Sequence, residues 1–272
     1  MIRQFYLILI VSFTSIKAFG QVVPAPPPPF DYQRDFKKMA EQSQDRESPF
    51  YYQKLLIRFL DRDSTLNNQE MLALMIGFTE NPKYKPFEDM EKEQEVFDLN
   101  EAGHYEDALV KAKLYLQTHP LSLRVLKEAS YCYYVQKKND SADYYMDLVD
   151  KIMTAMMYSG NGKKPESPMF SLGLADGEYF IPNIGLKILN KDTDWNKNNL
   201  FMEIIDASKS GEDHIPYFFV IQHAKDKIDD DKVNESTDKK TKKKEKEKKD
   251  KEKKEKGKKD KPGWGTDPAP SN

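Results

Sequence analysis

Several groups of residues in this 272-residue chain have types and spacings that invite a chemical reading. The turn Ser159-Gly160-Asn161-Gly162-Lys163-Lys164 offers two glycines and a lysine, and amides exposed in a glycine turn can cradle an anion. A P-loop needs four residues between its glycines and a Ser or Thr after the lysine; here one residue separates them and Lys164 follows. The turn therefore reads as the end of a helix. The four histidines, His104, His119, His214 and His223, are scattered, and none stands at metal-ligand spacing from another His, Cys or paired acid, so each reads as a surface or turn residue. The run Asp229-Asp230-Asp231 lacks the glycine and terminal glutamate of a calcium loop and reads as a solvated acidic stretch. No Gly-x-Ser-x-Gly elbow occurs. The single cysteine, Cys132, lies in an amphipathic helical pattern with nothing nearby to lower its pKa, which describes a packed, inert thiol. Catalytic residues are thus left unknown, and no cofactor and no metal are expected.

Charge carries more information than these motifs. From Lys239 to Lys261 fifteen lysines face six acids, a surplus of +9. Taking away that surplus, +2 for residues 1–20 and −1 for residues 262–272 from the net charge of −2 leaves −12 for residues 21–238. An acidic body carries a basic tail. Lysine runs attract polyanions, but this one is interleaved with Glu245, Glu247, Asp250, Glu252 and Glu255 and has no aromatic on which bases stack. A weak polyanion contact through the tail and plain solubilisation are both open; specific nucleic-acid binding is not expected.

The elements around these residues begin with an address. Arg3, the apolar run Phe5 to Phe13 and the small-residue exit Ala18-Phe19-Gly20 have the three-part form of a cleavable signal peptide over residues 1–20. The run is about half the length a membrane-spanning helix needs. The single cysteine, Cys132, lies far from this exit, so no thiol there can carry a lipid. A periplasmic or secreted protein, not an integral membrane one, is expected. With one cysteine no internal disulfide can form. Residues 21–47, with Pro24 and Pro26 to Pro29, read as a Pro-rich linker; a ligand for a proline-recognising module is the sharper alternative.

Residues 48–222 read as one α+β domain, helical over 48–158 and mixed over 166–222. Leu55, Leu56, Phe59 and Leu60 recur at helical spacing, and a second helix opens at Asn67, with Glu70 placed to reach back in a capping box. Ala108 and Ala142 are 34 residues apart, the period of the tetratricopeptide repeat, and Gly103, Tyr105 and Pro120 fall at consensus places. Two such hairpins need flanking segments to cover their faces. Beyond the Ser159–Pro165 loop, Met169–Leu174, Leu200–Ile205 and Tyr217–Ile221 read as strands of a small antiparallel sheet, and Glu178–Leu186 as a helix with Pro182 in its first turn. Residues 223–272 read as a disordered Lys/Glu-rich tail.

The order Tyr51-Tyr52-Gln53-Lys54-Leu55-Leu56, Asp63-Ser64-Thr65-Leu66, Ser159-Gly160-Asn161-Gly162, Glu178-Tyr179-Phe180-Ile181 and Tyr217-Phe218-Phe219 resembles domain of unknown function 4919, uncharacterised exported proteins of Bacteroidetes. The likeness spans roughly residues 48–222. It implies a Gram-negative envelope address, and no known activity or site residues. The repeat and the lack of catalytic motifs lead to an expected function as a protein- or peptide-binding interaction module of the bacterial envelope. An envelope hydrolase or glycan-active enzyme with a dispersed active site is the alternative.

Overall fold

The computed structural model describes residues 30–233 except residue 212. The signal-peptide reading, the prolines of residues 24–29 and the Lys-rich run lie outside the described residues.

Helix α1 (Tyr32–Gln44) is capped by Asp31, whose carboxylate accepts the Arg34 N–H at 2.9 Å. It buries Met39, Ala40 and Ser43 against α3 (Asn68–Phe78). Residues 30–47 are therefore not a linker: Phe36, Met39, Ala40 and Ser43 lie at helical spacing and give the segment an apolar face. Helix α2 (Tyr52–Leu60) packs on α3 from another side. The capping box at Asn67 forms as expected, Glu70 N–H to Asn67 Oδ1 and Asn67 N–H to Glu70 Oε2, both at 3.0 Å. Every residue of α3 from Met71 to Phe78 is buried, so its apolar character on all sides reflects a central position.

Two antiparallel hairpins follow: α4 (Pro86–Glu101) with α5 (Tyr105–Leu116), and α6 (Leu123–Val135) with α7 (Asn139–Ser159). Pro86 begins α4 where its missing N–H costs nothing. Ala108, Ala112, Ala129 and Ala142 are buried between these helices with Val96, Val125 and Cys132. Small side chains there let the helix axes approach closely. The 21-residue α7 reaches beyond this cluster to pack on α3 and β1 (Met169–Phe170), joining it to the main core.

Helix α8 (Asp176–Asn183) precedes three longer strands, β2 (Lys187–Trp195), β3 (Phe201–Ser208) and β4 (Ile215–Val220). The sheet order is β1-β4-β3-β2. β2, β3 and β4 are antiparallel, but β1 runs parallel to β4, pairing Met169 with Phe219. The sheet is thus mixed, because β1 enters from α7 instead of from a hairpin. Pro182 lies near the end of α8, not in its first turn. β2 escapes sequence reading because nearly all its side chains are exposed, which removes the alternating pattern. It is an edge strand, and the N–H groups of Thr193 and Trp195 are held by the carboxylates of Asp192 and Asp194 at 2.8 and 2.7 Å. Those donors are not free to recruit another strand.

A last helix, α9, covers residues 222–233. It corrects the reading of residues 223–233 as disordered: Ala224 and His223 are buried, although too few apolar residues follow to show a period. The architecture is α+β, mainly helical, and among the described residues no helix is long and apolar enough to cross a membrane.

Candidate functional site

A polar seam runs between α4 and α6. Asp89, Glu93, Val96 and Asn100 share one buried row of α4, so three polar residues stand where a core helix normally presents apolar ones. α6 supplies their partners. The Ser122 hydroxyl caps α6 and donates to Glu93 Oε1 at 2.6 Å. The Asn100 amide donates to Glu128 Oε2 at 2.7 Å, and the Cys132 thiol donates to Asn100 Oδ1 at 2.8 Å. Cys132 is fully buried, and burial pushes its pKa up, opposite to what a nucleophile needs.

At one end of the seam Asp176, from the start of α8, meets Asp89 and Glu93. Tyr84, Tyr115, His119 and Ser122 complete the walls of a cavity of about 20 Å³. Burial pushes Asp176 up to about 6, against the N–H groups of Gly173 and Leu172, which favour its charged form. Burial, and then the Asp176 charge, push Glu93 up to about 8, so Glu93 holds a proton at neutral pH. His119 stacks flat on Tyr115, ring centres 4.3 Å apart. Its Nε2 lies 3.0 Å from the Lys83 carbonyl and 3.1 Å from Asp89 Oδ1. One N–H cannot serve both well, and Asp89 Oδ1 makes no hydrogen bond of good geometry. The cavity sets these polar groups among apolar walls that include Phe78, Met90 and Leu172, and is large enough for one water molecule. It has no room for a substrate; the Glu93–Ser122 bond ties α4 to α6, and Asp176 accepts the Gly173 N–H at the start of α8.

A further carboxyl, Glu203 on β3, is also buried and pushed up to about 8, first by burial and then by Glu178 and Asp176. Its Oε2 would lie 2.4 Å from a Cβ at position 177, and Phe219 and Ile205 atoms at 2.8 and 2.9 Å, so a side chain at Gly177 would have to displace buried neighbours. None of Asp89, Glu93, Asp176 and Glu203 is marked by a sequence motif. The available signal was polar residues falling on the apolar row of α4.

The histidines divide. His104 and His214 are exposed, with His214 Nδ1 2.5 Å from Asp206 Oδ2. His119 and His223 are buried, each covered by aromatic rings, which corrects a surface reading; His119 does lie in the turn between α5 and α6, whereas His223 is in α9. His223 stacks on Phe170 at 4.7 Å and Phe36 at 5.5 Å, and burial pushes it down to about 4. The folded state refuses a proton that the unfolded chain accepts near pH 6.5, so stability is lost as pH falls from about 6.5 to about 4, by up to ~3 kcal/mol. Replacing His223 by Phe should shrink that acid-side loss, measured by urea unfolding at pH 4.5 and 7.5; an unchanged difference would contradict the assignment. Asp229 and Asp231 lie on α9, pairing with Lys225 at 2.5 Å and Lys227 at 3.5 Å, one turn earlier in each case. Among the described residues no group of three or more His, Cys, Asp or Glu is placed to hold a metal.

The glycine turn is a structural junction. The Gly162 N–H donates to the Ser167 carbonyl at 2.9 Å and the Lys163 N–H to Asn161 Oδ1 at 2.9 Å, so these amides have partners. The Ser159 hydroxyl donates to the Met156 carbonyl at 2.6 Å and accepts the Phe170 N–H at 2.7 Å, tying α7 to β1. Gly162 sits at φ 64°, and Lys163 Nζ lies 3.5 Å from the centre of the Tyr217 ring.

The exposed end of the seam differs in character. Arg124, Lys127, Tyr131 and Tyr134 form one row along α6. Arg124 lies 4.9 Å from the ring centres of both Phe97 and Tyr179, and Lys127 lies 5.8 Å from that of Tyr179, so α8 covers this half. Tyr131 and Tyr134 are left 47% and 67% exposed. Tyr131 meets Tyr105 edge-on at 6.0 Å, and Gly103, Glu106, Asp107 and Gln136 shape a shallow hollow beside Tyr105.

No curated protein matches the chain. No solved structure matches it either. A family described as a domain of unknown function (DUF4919) matches residues 37–230, which takes in most of α1 and of α9 and all the elements between them. The chain belongs to the DUF4919 family, whose span coincides with the folded body and includes both the glycine turn and the Tyr179 segment that closes the seam.

Proposed function

We propose that the folded body is a protein- or peptide-binding module of the bacterial envelope, and that it binds through Tyr105, Tyr131 and Tyr134 at the open end of the α4–α6 seam. The observation that carries this reading is the half-covered row on α6. Where α8 lies on it, a ring from α8 sits on cations of α6; where it is open, exposed rings await a partner's cations. Arg or Lys over Tyr contributes about 0.5–1 kcal/mol at an exposed site and more when desolvated. Glu101, Glu106 and Asp107 are exposed around these rings and favour the same cationic partner. The 34-residue interval between the two hairpins supports a tetratricopeptide-like binding array, and the sequence of residues 1–20 supports export.

The test is capture from a native envelope extract by the wild-type chain beside the double variant Tyr131→Ala/Tyr134→Ala. Loss of a specific protein from the variant, at unchanged thermal stability, is expected. Equal recovery would contradict the assignment of the face.

A second reading, an envelope hydrolase or glycan-active enzyme, is favoured by the raised carboxyls Glu93 and Asp176 beside His119. It requires residues 172–176 to move away and admit a substrate. Glycan or ester turnover abolished by Glu93→Gln would establish it in place of the binding reading.

A further inference from the structure

The first turn of α1 and two loops enclose a polar pocket of about 260 Å³, near the lower end of small-molecule sites at roughly 300 Å³. One loop is residues 165–168, after the glycine turn; the other is residues 196–200, which joins β2 to β3. The lining includes the buried Leu200 and the half-buried rings of Phe30 and Tyr32.

Hydrogen bonds fix these walls in advance of any ligand. Gln33 Nε2 donates to the Asn198 carbonyl at 2.7 Å, tying α1 to the second loop. Asn196 Nδ2 donates to the Pro165 carbonyl at 2.9 Å, and Asn196 Oδ1 accepts the N–H groups of Asn198 and Leu200 at 2.9 and 3.0 Å, so one side chain holds both loops. Gly160 has no side chain, which lets the Ser167 and Pro168 carbonyls lie where a Cβ would clash. The start of α1 is closed by its own Asp31 cap, so recognition falls on side chains.

Several of those side chains are unspent. Among the described residues the Glu166 carboxylate and the Asn198 side-chain amide make no hydrogen bond, and Gln33 keeps its side-chain oxygen. Arg34 is held by both oxygens of Asp35, at 2.8 and 2.6 Å. An anionic ligand would therefore meet Asp31 and Glu166 with only a paired cation to offset them. A neutral sugar fits instead: its hydroxyls donate to carboxylate and amide oxygens and accept from amide N–H groups, while its C–H face lies on a ring. Phe30 and Arg34 also line a second hollow of about 210 Å³, where the side chains of Gln42 and Gln69 stand with the rings of Phe50 and Tyr158. The same mixture of amides and rings recurs there.

We propose that these two hollows bind a neutral oligosaccharide, one sugar unit in each. Glu166, Asn198 and Gln33 hold the hydroxyls of the first unit, and Gln42 and Gln69 those of the second. The site shares no residue with the tyrosine face of α6 and gives the folded body a separate glycan-binding function.

Saturation-transfer NMR on the full chain tests this with five neutral disaccharides, maltose, cellobiose, lactose, α-1,2-mannobiose and diacetylchitobiose, each at about 10 mM, beside glucuronic acid. Affinity of about 1 mM is expected from contacts this exposed. At least one disaccharide should receive saturation, and glucuronic acid none. The variant Glu166→Ala/Asn198→Ala should bind that disaccharide at least tenfold more weakly at unchanged thermal stability, because both side chains are exposed and unpaired. Tyr131→Ala/Tyr134→Ala should bind it as the wild type does, which separates this site from the protein-binding face. No transfer to any of the five, or equal binding by the Glu166/Asn198 variant, would overturn the proposal. A constituent monosaccharide that binds as tightly as the disaccharide would overturn the second unit.

Discussion

At pH 8 the variant Glu93→Gln should be more stable than the wild-type protein, by about 2 kcal/mol, although it removes a hydrogen-bonded core residue. Glu93 keeps its proton in the folded state up to about pH 8, whereas an unfolded glutamate releases it near its ordinary pKa of about 4.5. Below that ordinary value both states are protonated and the contribution is fully present. Between the two values only the folded state retains the proton, so stability falls as pH rises, by up to about 1.4 kcal/mol per pH unit. Asp176, at about 6, and Glu203, at about 8, act in the same direction. Glutamine is neutral throughout, still offers Ser122 an acceptor, and places no charge beside Asp89 and Asp176. The full linkage is larger than 2 kcal/mol, but relaxation around a newly charged group lowers what is measured. Urea unfolding from pH 5 to pH 8.5 reads the effect. Wild type should lose stability across that range and the variant less, the remainder coming from Glu203 and Asp176; parallel losses would show that Glu93 is not a buried proton holder.

The second large effect belongs to the glycine turn after α7. A Cβ at position 160 would stand 2.1 Å from the Pro168 carbonyl oxygen, 2.7 Å from its carbon and 2.8 Å from the Ser167 carbonyl oxygen. All three are backbone atoms and cannot swing aside as a side chain can. Gly160→Ala should therefore force α7 and β1 apart and destabilise by about 3 kcal/mol, near the upper end for an overpacked site. Asn161→Asp is the matched control: its carboxylate can accept the Lys163 N–H as the amide oxygen does, so stability should change little. A phosphate site would give another pattern, with Gly160→Ala abolishing phosphate binding in a stable protein.

What could be read from the sequence depended on whether local chemistry or tertiary contact decides each element. Asn67 and Glu70 cap α3 through groups three residues apart, so that boundary was legible. Ala108 and Ala142 mark the hairpins because close helix approach demands a small residue locally. β2 was illegible because both its faces meet solvent; β1 was read within Met169–Leu174, but its parallel pairing was not, because that is set by α7 and β4. α1 was hidden behind the prolines before it, and α9 by the lysines after it. The buried carboxyls were least accessible of all. Pattern reading assigns Asp and Glu to the surface, and only the approach of α8 onto α4 and α6 encloses Asp89, Glu93 and Asp176. Among the tyrosines of α6, Tyr133 is buried in the hairpin cluster against Tyr145, whereas Tyr131 and Tyr134 lie on the row that α8 leaves open.

The measurement that bears most directly on the binding face is photo-cross-linking in the native envelope. A benzophenone amino acid would replace Tyr134 in one chain and Ile57, which is 62% exposed on α2, in another. A discrete protein adduct from position 134 and none from position 57 is the predicted result. No adduct from position 134, or the same adduct from both positions, would contradict it.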